Sequence, residues 1–481
     1  MGGPDERHGS SERRLVGFVR DARLADVPAD VLATVRNVLV GSLATAVAGA
    51  GEEGVAELRA LLVARGGTAA ATSIVFGDRL PAASAALLNA TMARALDFCD
   101  AIAPGAHIGT AVVPAALAAA EAGGAGDGAT LLRAIVVGCE VGARCNLTEA
   151  MYDGFDPTGI ASVFAATAAA GVVQGLDAAQ LQHAFGLALN RCGGSFQSHV
   201  DGSLAVRLQQ GIVAQAAIES VQYAQAGLTG PTNFLEGVYG YTHLYARGLC
   251  EADAFVAGLG HDWRVRGFMF KRYPSCGVTQ GITQLTLDVQ ADLGITADQV
   301  ARVVVTMPPY CQRLVGNPFV PGDNPRVSAQ FSVRYCVASA LVRRRAGLAD
   351  FRPAAVRDPA LAPLIERVTV VGDPAMDARG HSSVDAEFEL TDGRVVRRGY
   401  DVAPGYPGND LSAADHRRRV GDCLAYAAYP LAPGAGDELV RLVGDLESLP
   451  TIERLIGRVT AAEPPPSRTA PEKEQPHADA R

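Results

Sequence analysis

Val31-Leu-Ala-Thr-Val35-Arg-Asn-Val38-Leu39-Val-Gly-Ser-Leu43 is the stretch that decides the fold. Val31, Val35, Val38, Leu39 and Leu43 recur every three to four residues, the period of one helix face. Pro28 and Asp30 stand before it, where a helix starts. The spacing predicts a helix over 27–50. Similar patterns predict helices over 53–65, 81–101, 110–122, 129–145, 158–174, 178–190 and 204–226, separated by Gly-rich runs. Asp177 is placed to cap the 178–190 helix. Alternating strand patterns are nearly absent before residue 262, so residues 14–262 are expected to form an all-helical domain.

The pattern changes after Trp263. A helix is expected over 277–293 and another over 326–345. Arg302-Val-Val-Val-Thr-Met307 is β-branched and strand-like, and 366–371 is a second strand. Segments 384–390 and 394–398 flank Asp392-Gly393, a pair that supplies the positive φ angles of a tight hairpin turn. Residues 263–404 are therefore expected to form a smaller, compact α+β domain. Helices return over 413–428 and 438–459, with Ser412 as N-cap and Asp415 at the third helical position. Residues 405–461 are expected to rejoin the first domain. The expected fold is mainly α, a large all-helical domain plus a smaller α+β domain, with disordered tails at 1–13 and 462–481.

Of 481 residues, 48% are hydrophobic and 19% charged, which excludes global disorder. The net charge is −9 and no dense basic tract occurs, so nucleic acid is excluded as an expected partner. The nine cysteines are scattered and none forms a CxxC pair, which argues against a zinc site or a disulfide scaffold. They read as small buried hydrophobes of a reducing compartment, and a cytoplasmic protein is expected. The polar start Met1–His8 carries no apolar leader. The apolar runs 109–120 and 161–173 are too short for a bilayer, so no membrane partner is expected. There is no P-loop, Rossmann fingerprint, GxSxG elbow or metal-ligand spacing, and no cofactor or metal is expected.

Chemistry concentrates in a few segments. In Ala95-Leu-Asp-Phe-Cys-Asp100, Asp97 and Asp100 lie three apart near a helix end and are expected to share a face. The turn 102–106 can fold His107 back onto them, where a carboxylate would fix the imidazole tautomer and raise its basicity. Solvated acids beside a loop histidine are the plain alternative. Asp156-Pro157 reads foremost as an N-cap and first-turn proline, a role compatible with anion binding. Arg207 could grip a carboxylate or phosphate, or simply lie on a helix surface. Lys271 and Arg272 precede Tyr273-Pro274; a cleft lysine could neutralise developing enolate charge, and a basic surface loop is the alternative. Tyr335 could donate a proton or pack.

Seven segments, in this order, resemble the MmgE/PrpD superfamily. They are Ala95–Asp100 with His107, Gly154-Phe-Asp-Pro-Thr158, Val206-Arg-Leu-Gln-Gln-Gly211, Ala226-Gly-Leu-Thr-Gly-Pro231, Phe234-Leu-Glu-Gly237, Phe270-Lys-Arg-Tyr-Pro-Ser-Cys276 and Phe331-Ser-Val-Arg-Tyr335. The resemblance covers roughly residues 15–460. It implies a helical domain with an α+β lid, a homodimer, and a cofactor-free cleft acting on carboxylates by dehydration, decarboxylation or epimerisation. It places the family's functional groups on Asp97, His107, Lys271 and Tyr335. Four positions depart from its pattern: Ala101 stands for threonine, Asp156 for histidine, Val206 for lysine and Gln209 for histidine. The lost cations point to a substrate less anionic than 2-methylcitrate or cis-aconitate.

The reading is a cofactor-independent carbon–oxygen lyase working on a small-molecule carboxylate. His107 is the expected base, Asp97 its orienting group, and Lys271 and Tyr335 the stabilisers of enolate-like charge. Asp100, Asp156, Arg207, Gln209, Arg272 and Ser275 are the expected substrate contacts. An epimerase, a decarboxylase and a non-catalytic ligand-binding descendant are the alternatives.

Overall fold

The periodic stretch becomes the helix Ala29–Gly49, with Val31, Val35, Val38, Leu39 and Leu43 all buried. The computed structural model describes residues 10–124, 126–461 and 463. The expected tails lie largely outside these residues, but Ser11–Arg13 already belong to a helix, Ser11–Asp21, capped by Ser10. Helices Val55–Arg65, Ala82–Arg94, Gly109–Ala122, Gly128–Cys145, Pro157–Val173, Ala178–Leu189 and Ala205–Gln225 follow. At the centre, Pro157–Val173 packs against the helices on 109–122, 128–145, 178–189 and 205–225, and its residues 157–172 are all buried. Small residues make this possible: a Cβ on Gly138 would come within 2.8 Å of the Ala165 carbonyl oxygen, so only glycine permits the approach.

Ala29–Gly49 is long and apolar enough to cross a bilayer. It packs instead on Ala82–Arg94 and Ala413–Tyr426, which accounts for its composition. After residue 412, Ala413–Tyr426 and Ala435–Gly444 both return to this helix. Ser412 and Asp415 form a reciprocal capping box. The single helix expected over 438–459 is broken: Ala435–Gly444 ends before Leu449-Pro450, and Glu453–Arg458 follows.

A second apolar core gathers residues between 276 and 390. Its four-stranded sheet runs in the order Val368–Gly372, Val300–Met307, Val384–Leu390, Val395–Tyr400. The first pair is parallel and the others antiparallel. Helices Gln280–Leu293 and Val333–Arg343 pack together and against it. The helix expected over 326–345 is two, Pro325–Gln330 and Val333–Arg343, because Ser332 caps the second.

One difference from the sequence reading matters for the site. The helix expected over 81–101 stops at Arg94. Asp97 takes a left-handed conformation, φ +49°, which Asp tolerates better than most residues. The chain then turns into a short strand, Asp100–Ile102, antiparallel to Phe268–Phe270. Asp97 and Asp100 therefore share no helix face. The register pairs Asp100 with Phe270, and this carries the next residue, Lys271, to Asp97.

Candidate active site

Asp97 collects three cationic or basic groups. Lys271 Nζ is 2.6 Å from its Oδ1, Arg94 donates to the same oxygen, and His107 Nε2 is 3.9 Å from it. Burial alone would push the Asp97 carboxyl up, but Lys271 and Arg94 outweigh it and hold the group far below the usual carboxylate range. Arg94 was not singled out in the sequence, although its position three residues before Asp97 is an ion-pair spacing.

His107 is fixed from several sides. Its backbone N–H donates to Thr158 Oγ1 at 3.0 Å, and its carbonyl accepts from Gln210 Nε2. Its Nδ1 lies 2.9 Å from the carbonyl oxygen of Asp100. A carbonyl only accepts, so Nδ1 carries the proton and Nε2 keeps its lone pair. The orienting group is thus the Asp100 backbone and not the Asp97 carboxylate. The expected rise in basicity is also reversed. Burial first, then Arg94 and Lys271, lower the imidazole pKa well below 6.5, against an opposing pull from Asp97.

The Asp100 side chain turns away from His107. Its Oδ2 accepts from Gly109 N–H at 2.9 Å, at the start of the helix Gly109–Ala122. A Cβ on Gly109 would lie 2.4 Å from Asp100 Oδ1, so glycine is required there. Burial raises the Asp100 pKa to about 6. Asp156 caps Pro157–Val173 by accepting from Thr158 N–H at 2.8 Å, and the same Thr158 holds His107.

The remaining expected contacts fall elsewhere. Tyr335 lies in the second core between Phe319 and Phe351, its hydroxyl donating to the Asp350 carbonyl. Helix Val333–Arg343 directs it to that core, away from Asp97. Arg207 donates to the Glu53 carbonyl at 2.9 Å and joins the buried Glu52 and Arg326 and the exposed Glu53 in a charge cluster. Gln209 donates to the Gly193 carbonyl, Arg272 leans toward Asp415, and Ser275 Oγ pairs with Thr279 Oγ1. None of these five side chains lines the cavity that His107 lines.

That inner cavity is about 40 Å³ and is bordered by His107, His199, Cys276, Tyr310, His381 and Tyr406, with Ala101, Ile102, Met269, Leu314 and Phe331 as apolar wall. Lys271 stays behind His107, 1% exposed, and does not form the opposite wall. Beside the inner cavity lies a second, outer cavity of about 270 Å³ that reaches the exposed Asp153 and also Glu149, Tyr152 and Arg313. Phe196, His199, Tyr310 and Leu314 border both. His381 pairs with Glu149 across the rim, joining the second core to the helical part. No sequence spacing signalled His199, Tyr310 or His381, since each arrives on a separate loop or short helix.

The segment 271–276 is held by two glutamines. Gln280 Oε1 accepts from the N–H groups of Arg272 and Tyr273, each at 2.9 Å. Gln330 Nε2 donates to the Leu96 carbonyl at 2.6 Å and its own carbonyl accepts from Cys276 N–H at 2.9 Å. Gln330 therefore ties the Lys271 segment to the Asp97 segment. Among the described residues, no group of three or more His, Cys, Asp or Glu side chains is arranged to hold a metal.

The MmgE/PrpD N-terminal domain matches residues 13–250, and the MmgE/PrpD C-terminal domain matches residues 273–429. The chain belongs to the MmgE/PrpD family. Similar relatives include the cis-aconitate decarboxylase-like protein oryM of Aspergillus oryzae, 24% identical over 85% of this chain and 89% of its own length. The cis-aconitate decarboxylase of Homo sapiens is 23% identical over 82% and 83%. That of Aspergillus terreus is 24% identical over 68% and 70%. In this MmgE/PrpD protein the four departures acquire positions. Ala101 borders the inner cavity, Asp156 is an N-cap, Val206 is buried, and Gln209 braces the loop at Gly193.

Proposed function

We propose that this MmgE/PrpD protein is a lyase that removes a proton from the carbon next to a carboxylate or carbonyl and expels water or another oxygen leaving group. The observation that carries this is the state of His107: Nδ1 is committed to the Asp100 carbonyl, and the ring is held neutral where it borders a cavity. A neutral imidazole with one free nitrogen is a base, ready to accept a proton at pH 7. Asp97, 3.9 Å from Nε2, stabilises the imidazolium that forms. Lys271 and Arg94 hold Asp97 ionised for that task. Tyr310, Tyr406 and Cys276 are kept protonated by burial and can donate to the leaving oxygen.

The substrate class follows from what reaches the cavity. Arg94 and Lys271 are engaged with Asp97, so the inner chamber offers imidazoles and phenols rather than free cations. This supports a substrate with one carboxylate beside an apolar body. The inner cavity, at about 40 Å³, holds little more than one water molecule, so the reading includes movement of its wall. A homodimer belongs to the same reading, supported by the exposed Leu228, Val238, Tyr239, Leu244 and Leu249.

Decarboxylation is the second reading, favoured by the names of the relatives. It needs a proton delivered to carbon after carbon dioxide leaves, which a neutral His107 serves less directly. A panel of hydroxy acids incubated in deuterium oxide separates the outcomes. A new alkene absorbance supports elimination, and carbon dioxide release from an unsaturated acid such as cis-aconitate supports decarboxylation. Label in recovered substrate without an alkene indicates epimerisation. Wild-type turnover in His107→Gln would remove the base assignment.

A further inference from the structure

We infer that His199 receives the substrate's carboxylate at the partition between the two cavities, and that it takes up a proton in doing so. This adds a binding group to the site proposed above and uses that reading only for the location of the site. His199 closes the short turn Gln197–Val200 and borders both cavities. A molecule that spans both cavities touches the wall that His199 shares with Phe196, Tyr310 and Leu314. Its ring lies flat on Phe196, centroids 4.3 Å apart at 10°, and takes the edge of Phe331 at 5.0 Å and 86°. Two aromatic contacts, one from each part of the chain, thus fix the plane of the imidazole.

Its polar atoms are left over. His199 Nδ1 is buried and has no hydrogen-bond partner. Buried imidazole nitrogens are rarely left so, because the desolvation is uncompensated. The other cavity histidines differ: His107 Nδ1 is bonded to the Asp100 carbonyl and His381 Nδ1 to Glu149. His199 is the cavity imidazole whose ring has no protein hydrogen bond among the described residues.

The charges around it set the proton count. Burial, Arg94 and Lys271 disfavour its protonated form, while Asp156 and Asp97 favour it, and the balance pushes its pKa down to about 4. The ring is therefore neutral while alone. A carboxylate entering a water-poor cavity adds a negative charge at contact distance and raises the imidazole pKa. Binding then draws a proton from solution.

The test is calorimetry on the full chain with two unreactive monocarboxylate probes, butyrate and isovalerate, near pH 6.5 in buffers of different ionisation enthalpy. Wild type should bind with uptake of about one proton. His199→Gln should weaken binding roughly tenfold or more, the effect of losing a charge-assisted bond, and abolish the uptake. His107→Gln should retain both. Uptake unchanged in His199→Gln, uptake lost only in His107→Gln, or no binding of either probe overturns the assignment. In wild type, the ring nitrogens of His199 followed by NMR should move toward imidazolium positions on probe addition, and unmoved resonances overturn it too. The probes are not turned over, so a wild-type rate in His107→Gln would sink the base assignment and leave this one standing.

Discussion

Lys271 Nζ lies 2.6 Å from Asp97 Oδ1, with the two side chains 1% and 2% exposed. Arg94 donates to the same oxygen, so one buried carboxylate serves two buried cations. The two possible deletions are therefore unequal. Lys271→Met leaves Asp97 still paired with Arg94 and should cost about 2–3 kcal/mol. Asp97→Asn leaves two cations facing each other without a counter-charge and should cost about 3–5 kcal/mol. Urea midpoints measure both, and the opposite order would contradict the arrangement. Because the folded Asp97 pKa is depressed, its stabilisation is present above the ordinary carboxylate range and is lost as pH falls toward the folded value. Wild type should thus lose stability in acid more steeply than Asp97→Asn.

A pH–rate profile reports on His107. Its pKa is lowered by burial, Arg94 and Lys271, so the base form persists below the ordinary imidazole value. The acidic limb of kcat/KM should lie below the unperturbed imidazole value near 6.5. His107→Gln should reduce turnover roughly 10²-fold with the fold intact by circular dichroism. A limb above pH 7 would place a different group in the role.

Asp100→Asn should stabilise the protein at neutral pH. The Asp100 pKa is raised to about 6, so its stabilising contribution is full below the unfolded value near 4 and is lost as pH rises through 6. Asparagine can still accept from Gly109 N–H and carries no buried charge. The expected gain at pH 8 is roughly 1–3 kcal/mol, with little change near pH 4. Thermal melts at the two pH values decide it, and a loss at pH 8 would count against the burial argument.

Gln330→Ala removes the amide that donates to the Leu96 carbonyl. The stranded carbonyl should cost about 1–3 kcal/mol. Proteolytic cleavage around 271–276 should also speed up, because the segment loses its tie to the Asp97 turn. Unchanged cleavage with lowered stability would show that the tie to Leu96 does not protect the segment.

Much of this molecule is written in its local pattern. The apolar spacing at Val31–Leu43 gives a helix whether or not its neighbours are known, and Ser412 with Asp415 states its own cap. Asp392-Gly393 selects its own turn. The proximity of Asp97 and His107 was anticipated from the turn between them, and that of Lys271 through a family resemblance; the physical means was hidden. A three-residue strand, Asp100–Ile102, is too short to leave a period-2 signature, and its partner Phe268–Phe270 lies far away in sequence.

Which side chains face the cavity was equally a tertiary decision. Arg207 and Tyr335 have the chemistry of a site, yet packing against Glu53 and Phe351 directs them elsewhere. His199 and His381 carry no motif and reach the cavity from separate loops. Local sequence fixes backbone periodicity because the forces involved act within one turn of helix. Burial, pKa and the sharing of one carboxylate by two cations depend on neighbours brought close by the whole fold, and no window of residues contains them.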